Sequence, residues 1–214
     1  MSVFEAVKQL SSFRDCEEKV IPRKKIGKIL EAGRQSPSPG NVHSIEFIVV
    51  EDEERKQFMA RAAGDERIEG APTTIVLLGD MDRMARKVGE KKCREACNSE
   101  IACAVQNMRL VAEEEGLASC WIGGFDEDAV AEQLEIPSGK QPLAIVILGY
   151  SDDRVQRGSK FGLNQIAHYD IYDNKIDSDF DNVEWDGIRE EKEMYGRKLG
   201  SLRTKIESAI AKYL

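Results

Sequence analysis

The stretch Arg94–Phe125, REACNSEIACAVQNMRLVAEEEGLASCWIGGF, decides the fold. Between Ala96 and Ala112 its apolar residues, among them Cys97, Ile101, Val105, Met108, Leu110 and Val111, fall on nearly every face of a helix. A helix apolar all round belongs inside a structure, so the spacing predicts a central helix. Its small Ala and Cys residues let another helix cross closely. Gly116, after Glu113-Glu114-Glu115, is a natural C-terminal stop. Leu117 to Ile122 then reads as a buried strand running into Gly123-Gly124, where missing β-carbons let a ligand lie against bare backbone N–H groups. A strand that simply ends in a loose turn gives the same pattern.

Outward from that stretch, 214 residues with 41% apolar content can bury a sizeable core, as one large domain or at most two. The net charge of −8 opposes a polyanion, so nucleic acid is not an expected partner. No apolar run approaches the roughly 18 residues that span a bilayer, and MSVFEAVKQL lacks the basic start of a signal peptide. A soluble, cytoplasmic protein is expected. Five cysteines without a C-x-x-C pair read as free thiols. Cys93 and Cys97 lie one helical turn apart, but His43 and His168 are the only histidines available to complete a metal site, so small-residue packing is the expectation.

Ser2 and Glu5 form an S-x-x-E capping box opening a helix with Phe4, Val7 and Leu10 on its apolar face. At its end, Ser11-Ser12-Phe13-Arg14 sets two hydroxyls and a cation close together, a donor set for a phosphate or sugar as well as an ordinary solvated turn. Pro22 fits the first turn of a second helix burying Ile26, Ile29 and Leu30. Pro37-Ser38-Pro39-Gly40-Asn41 is dense in turn formers and predicts a rigid loop, neither helix nor strand. Ile45–Val50 reads as a strand covered on both faces, Glu53–Ala63 as a helix, Gly64–Gly70 as a charged loop and Thr73–Leu78 as a second buried strand. Asp80–Lys92 is mostly charged and reads as a solvated helical lead into the central helix. Asp126 is the expected N-cap of a helix ending before Pro137, and Leu143–Leu148 is the fourth strand. Strands alternating with helices indicate an α/β (α+β) layered domain with helices on both faces of a central sheet. Arg154, Arg157 and Lys160 gather cations in a loop, either solvated or neutralising an anion. The segment from Gly187 to Leu214 is a charged helix with a weak apolar stripe, suited to a second subunit or to its own surface.

In this order along the chain, the motifs resemble those of the FMN-dependent nitroreductases over residues 4 to 168. Leu10-Ser11-Ser12-Phe13-Arg14 stands where that family has an R-R-S-x-R-like motif, and Pro37-Ser38-Pro39-Gly40-Asn41 matches its P-S-x-x-N loop. Gly116-Leu117 with Trp121-Ile122-Gly123-Gly124-Phe125 matches G-L-x-x-x-W-I-x-G-F. Lys160 precedes a stretch ending in His168 similar to P-L-x-x-I-x-H. The resemblance implies a residue 1–168 FMN-binding domain and a 169–214 extension embracing a homodimer partner. It places Ser11, Ser12 and Arg14 on the phosphate, ribityl chain and pyrimidine edge, with Arg157 and Lys160 on the phosphate. Pro37, Ser38, Pro39 and Asn41 would come from the other subunit, and the backbone of Gly123 and Gly124 would meet N5 and O4. Leu10 departs from the family's usual arginine, His43 from a glutamine and Ile45 from a tryptophan.

The activity so implied is reduction of FMN by NAD(P)H and its reoxidation by a quinone, nitroaromatic or similar acceptor, in ping-pong order. No side chain is assigned as acid, base or nucleophile, because the flavin carries the redox chemistry. The absence of G-x-G-x-x-G disfavours a Rossmann dehydrogenase. The alternatives are a same-fold flavoenzyme of other chemistry, such as dehalogenation or flavin fragmentation, and a flavin binder without turnover.

Overall fold

A computed structural model describes residues 2–155 and 158–175. The chain divides into two compact units, residues 1–157 and 158–214. The domain break expected after 168 falls within the second. Arg157 and the 187–214 stripe lie outside the described residues.

The first unit is built on one sheet of β1 (Ile45–Val50), β2 (Thr73–Asp80), β3 (Ala118–Ile122) and β4 (Lys140–Gly149), in the order β1-β2-β4-β3 with every neighbouring pair antiparallel. Central β2 is buried along its whole length, which is why it reads as an unbroken apolar run. Its alternate residues point to opposite faces. Val76 and Leu78 join Met59, Ile68 and Val130 from α3 (Glu53–Ala63), α4 (Arg67–Gly70) and α7 (Glu127–Gln133). Ile75 and Leu77 join Ile26, Ile29, Ile101 and Met108 from α2 (Arg23–Arg34) and α6 (Glu90–Glu114). Helices therefore cover both faces, as expected. Burying each such Ile or Met contributes about 1.5–3 kcal/mol. Gly33 lets α2 lie close against α6, since an added Cβ would stand 2.8 Å from Met108 Sδ.

Several local expectations are corrected. β1 is an edge strand and only half-buried, with Val49 39% exposed, because the helical cover thins toward the sheet edge. In α1 (Val3–Gln9) the buried side is Ala6 followed by Leu10, while Phe4 is exposed. The central helix buries one stripe, Cys97, Glu100, Ile101, Ala104, Val105, Met108 and Ala112, and leaves Cys103 exposed. That stripe follows the 3.6-residue period, and small Ala and Cys residues on the remaining faces had disguised it. The charged 64–70 loop contains α4, anchored by fully buried Ile68. The 80–92 segment is α5 (Met81–Val88), which buries Met81 and Met84 and breaks at Gly89, where φ is +83°. Asp126 caps α7 as expected, accepting from Ala129 N–H at 3.0 Å.

Within the second unit, a four-residue helix α8 (Leu163–Ile166) leads to a bridge between His168 and Lys175. Lys175 Nζ donates to the Gln165 carbonyl at 3.1 Å. No helix among the described residues is long and apolar enough to cross a membrane.

Candidate functional site

The Ser11–Arg14 segment is held against edge strand β3. Leu10 closes α1, its N–H donating to the Ala6 carbonyl, and the chain then runs extended. Phe13 is its anchor, 1% exposed, with its N–H donating to Cys120 Sγ at 3.2 Å. Phe13 also bridges Arg154, Arg14 N–H donates to the Asp153 carbonyl at 3.2 Å, and Val155 N–H to the Ser12 carbonyl at 2.7 Å. With Phe13 turned inward, Ser12 and Arg14 alternate to the other side. Among the described residues, no hydrogen bond or ion pair engages the side chains of Ser11, Ser12 or Arg14. Arg154, by contrast, pairs with Glu113 at 2.9 Å. Arg154 thus neutralises the end of α6, and Lys160, in the second unit, is exposed.

Gly123 and Gly124 continue β3 beyond its last paired residue, Ile122. Both are exposed, and a Cβ on Gly124 would meet nothing within 4 Å. Three to four residues separate Cys120, beside Phe13, from this glycine pair, about 10–13 Å of extended strand. Free donors at one end and open backbone at the other fit an elongated nucleotide with a phosphate at its tip and a flat ring. The residues of this edge thus fit FMN.

Two residues that sequence reasoning missed hold this edge in shape. Arg67 of α4 donates through Nη1 to the Phe13 carbonyl at 3.1 Å and to Cys120 Sγ at 3.6 Å. Its Nε and Nη2 bind Asp65 at 2.9 and 2.6 Å. These bonds to Arg67 hold the Asp65 carboxyl below its ordinary value. Lys56, 5% exposed, donates to the carbonyls of Glu69 and Ala71 at 3.3 and 2.9 Å and so ties α3 to the end of α4. Arg67 stands within a charged loop where nothing local marks it as reaching Phe13. Cys16 sits nearby, and burial pushes its thiol up to about 11.

The Pro37–Asn41 loop is built differently. It contains a single 3-10 turn, Pro39–Asn41, where no helix was expected. Ser38 Oγ accepts from Val42 N–H at 3.1 Å and His43 N–H at 2.8 Å, and Asn41 Oδ1 meets His43 Nε2 at 2.9 Å. Gly40, Asn41 and His43 all have left-handed backbones, φ +64°, +56° and +53°. Such strain in non-glycine residues persists only where surroundings impose it, and it gathers at functional sites. The surroundings are visible. Ser44 donates through N–H and Oγ to Glu100 at 3.0 and 2.6 Å, and Arg83 donates to the His43 carbonyl at 2.9 Å. Glu100 is 1% exposed, and its other carboxylate oxygen has no partner among the described residues. Arg83 and Lys140 in turn bind Asp80 and Glu46. Burial raises the pKa of Asp80, yet the Arg83 N–H and the Lys140 ammonium outweigh it and leave the carboxyl below its ordinary value.

These two clusters do not meet in one chain. Ser11–Arg14 and Gly123–Gly124 share the β3 edge, whereas Pro37–Asn41 leads into β1 at the opposite edge. Three strand spacings, about 14 Å, lie between.

An antiparallel sheet with helices on both faces defines a layered protein of the α+β class. The chain belongs to the nitroreductase family, whose model matches residues 8–66 and 56–150. A Bacillus subtilis FMN reductase (NADPH) is 24% identical over 190 residues, covering 82% of this chain and 76% of that one. A nitroreductase family protein of Clostridium novyi NT is 30% identical, with a TM-score of 0.65 over 72% of this chain and 87% of that one. An FMN-dependent nitroreductase of Clostridium difficile shares the fold at 23% identity, TM-score 0.66, covering 79% and 99%.

Proposed function

We propose that the chain is an FMN-dependent oxidoreductase that draws on NADH or NADPH and reduces a quinone, nitroaromatic or similar small acceptor. It works as a cytoplasmic homodimer with two equivalent clefts. The observation that carries this reading is the β3 edge, where the side chains of Ser11, Ser12 and Arg14, without partners among the described residues, share one strand edge with the open backbone of Gly123 and Gly124. The B. subtilis relative, named as an FMN reductase that uses NADPH, supports the cofactor and the donor.

Bound FMN supplies hydride acceptance and delivery. The chain's own residues bind and orient. Arg14 would hold anionic oxygens by charge-assisted bonds, and Ser11 and Ser12 would hold the polar chain. N–H groups of Gly123 and Gly124 would donate to the ring edge, favouring reduction there. Arg157 and Lys160 are assigned to the phosphate from motif order alone. Both substrates use one cleft, so the first product leaves before the oxidant enters, which gives ping-pong kinetics.

The two opposed edges support the dimer. Pro37, Ser38, Pro39 and Asn41 of a second subunit complete the cleft that the β3 edge opens. The exposed face of α6 bearing Cys103, with Ser99, Gln106 and half-buried Leu110 beside it, is surface for that subunit to cover. The test is the visible spectrum of purified protein before and after anaerobic addition of NADH or NADPH. Yellow protein that bleaches is expected; protein left colourless after addition of FMN would defeat the reading.

A further inference from the structure

The reading above leaves unused a run of cations between Arg83 and Arg94, MARKVGEKKCR in its core, in a chain of net charge −8. Arg83 and Arg94 are spoken for, bound to Glu46 with Asp80 and to Glu127. Arg86, Lys87, Lys91 and Lys92 are exposed and make no ion pair with another described residue. A last-turn position accounts for Arg86, whose Nε donates to the Asp82 carbonyl at 3.2 Å. Lys87 stands in the same last turn but makes no such bond to another described residue. The Lys87 stem lies across Gly40, with Cγ, Cε and Cδ 2.9, 3.3 and 3.7 Å from where a Cβ on Gly40 would stand. Its i−4 neighbour Arg83 reaches the His43 carbonyl, so one face of α5 runs along the strained loop from Gly40 to His43. The missing side chain at Gly40 thus seats a lysine whose ammonium has no partner among the described residues, beside the loop assigned to the flavin edge.

We propose that Lys87, supported by Arg86, recognises the 2′-phosphate of NADPH and gives the enzyme its preference for that donor. The inference rests on the flavin reading and on its dimer, in which the Pro37–Asn41 loop of one subunit meets the β3 edge of the other. A nicotinamide ring on the flavin is uncharged at its reacting edge, and the adenosine end must extend toward the rim of the cleft. An extra phosphate there carries −1.5 to −2 charge near neutral pH, as phosphate monoesters do, and an unpaired ammonium on an exposed rim binds such a group as a point charge. NADH lacks that group, so the cations discriminate between donors.

The experiment measures kcat/KM for NADPH and NADH on FMN-loaded wild type, Lys87→Ala and Arg86→Ala/Lys87→Ala, with FMN content and melting temperature recorded on the same samples. The NADPH/NADH ratio should fall about tenfold in Lys87→Ala, through KM for NADPH, and further in the double variant. Lys87→Arg should keep most of the ratio. Rising salt should lower the wild-type ratio and leave that of the double variant nearly flat. An unchanged ratio in both alanine variants, with wild type bleached by both donors, overturns the role of Lys87 alone. Wild type that holds FMN and bleaches with neither donor overturns the flavin reading and this proposal together.

Discussion

Arg67→Ala tests how the cofactor edge is held. The side chain makes one charge-assisted bond to the buried Phe13 carbonyl and a paired contact to Asp65. Losing the first leaves a buried acceptor with only the weak Cys120 thiol donor at 3.5 Å, a loss of about 1.5–3 kcal/mol. The Asp65 pair is a third exposed on the arginine side and is discounted to less than about 1 kcal/mol. Together they predict about 2 kcal/mol of lost stability, or a melting temperature about 4–8 °C lower for a chain of this size. Ser12 and Arg14 flank Phe13 on the loosened segment, so FMN affinity, read by quenching of flavin fluorescence, should weaken about tenfold. Arg67→Lys keeps the charge but not the fork, and should recover part of the affinity. Apo Arg67→Ala that melts with wild type and binds FMN equally well would refute the reasoning.

Other outcomes follow from the same geometry. Gly124→Val should fold normally, since a Cβ there meets nothing within 4 Å, yet lose most FMN reduction because its side chain enters the space assigned to the ring; an active variant counts against that pose. The folded pKa of Asp65 is depressed, so its stabilisation is complete above its ordinary value near 3.8 and is lost as pH falls below it; denaturant melts of wild type and Asp65→Asn should differ at pH 7 and converge under acid. Cys16, at about 11, holds about one thiolate in a thousand at pH 8 against roughly one in four for an ordinary cysteine. Peptide mapping should therefore show it alkylated over a hundredfold more slowly in folded than in unfolded protein.

Strand positions were legible wherever burial was complete: β2 and β4 announce themselves as apolar runs, and the acidic cap at Asp126 marks a helix start. Edge strand β1 looked equally buried, because its composition does not record how far the helices extend over it. Antiparallel pairing was not legible either, since strand direction depends on crossovers that leave no local mark. Of the candidate site, Ser11, Ser12, Arg14 and the glycine pair stood out as motifs. Arg67, Glu100 and Lys87 did not, because each acts through a contact distant in sequence, on Phe13, Ser44 and Gly40 respectively.

The placing of the two loop clusters on opposite sheet edges has a genetic consequence. Under the proposed dimer, Arg14→Ala disables a cleft from one side and Asn41→Ala from the other, so each variant alone has two damaged clefts. In a mixed dimer both lesions fall in one cleft, and the other inherits intact Arg14 from one chain and intact Asn41 from its partner. Random reassortment of the two inactive proteins should then restore activity to about a quarter of the wild-type level.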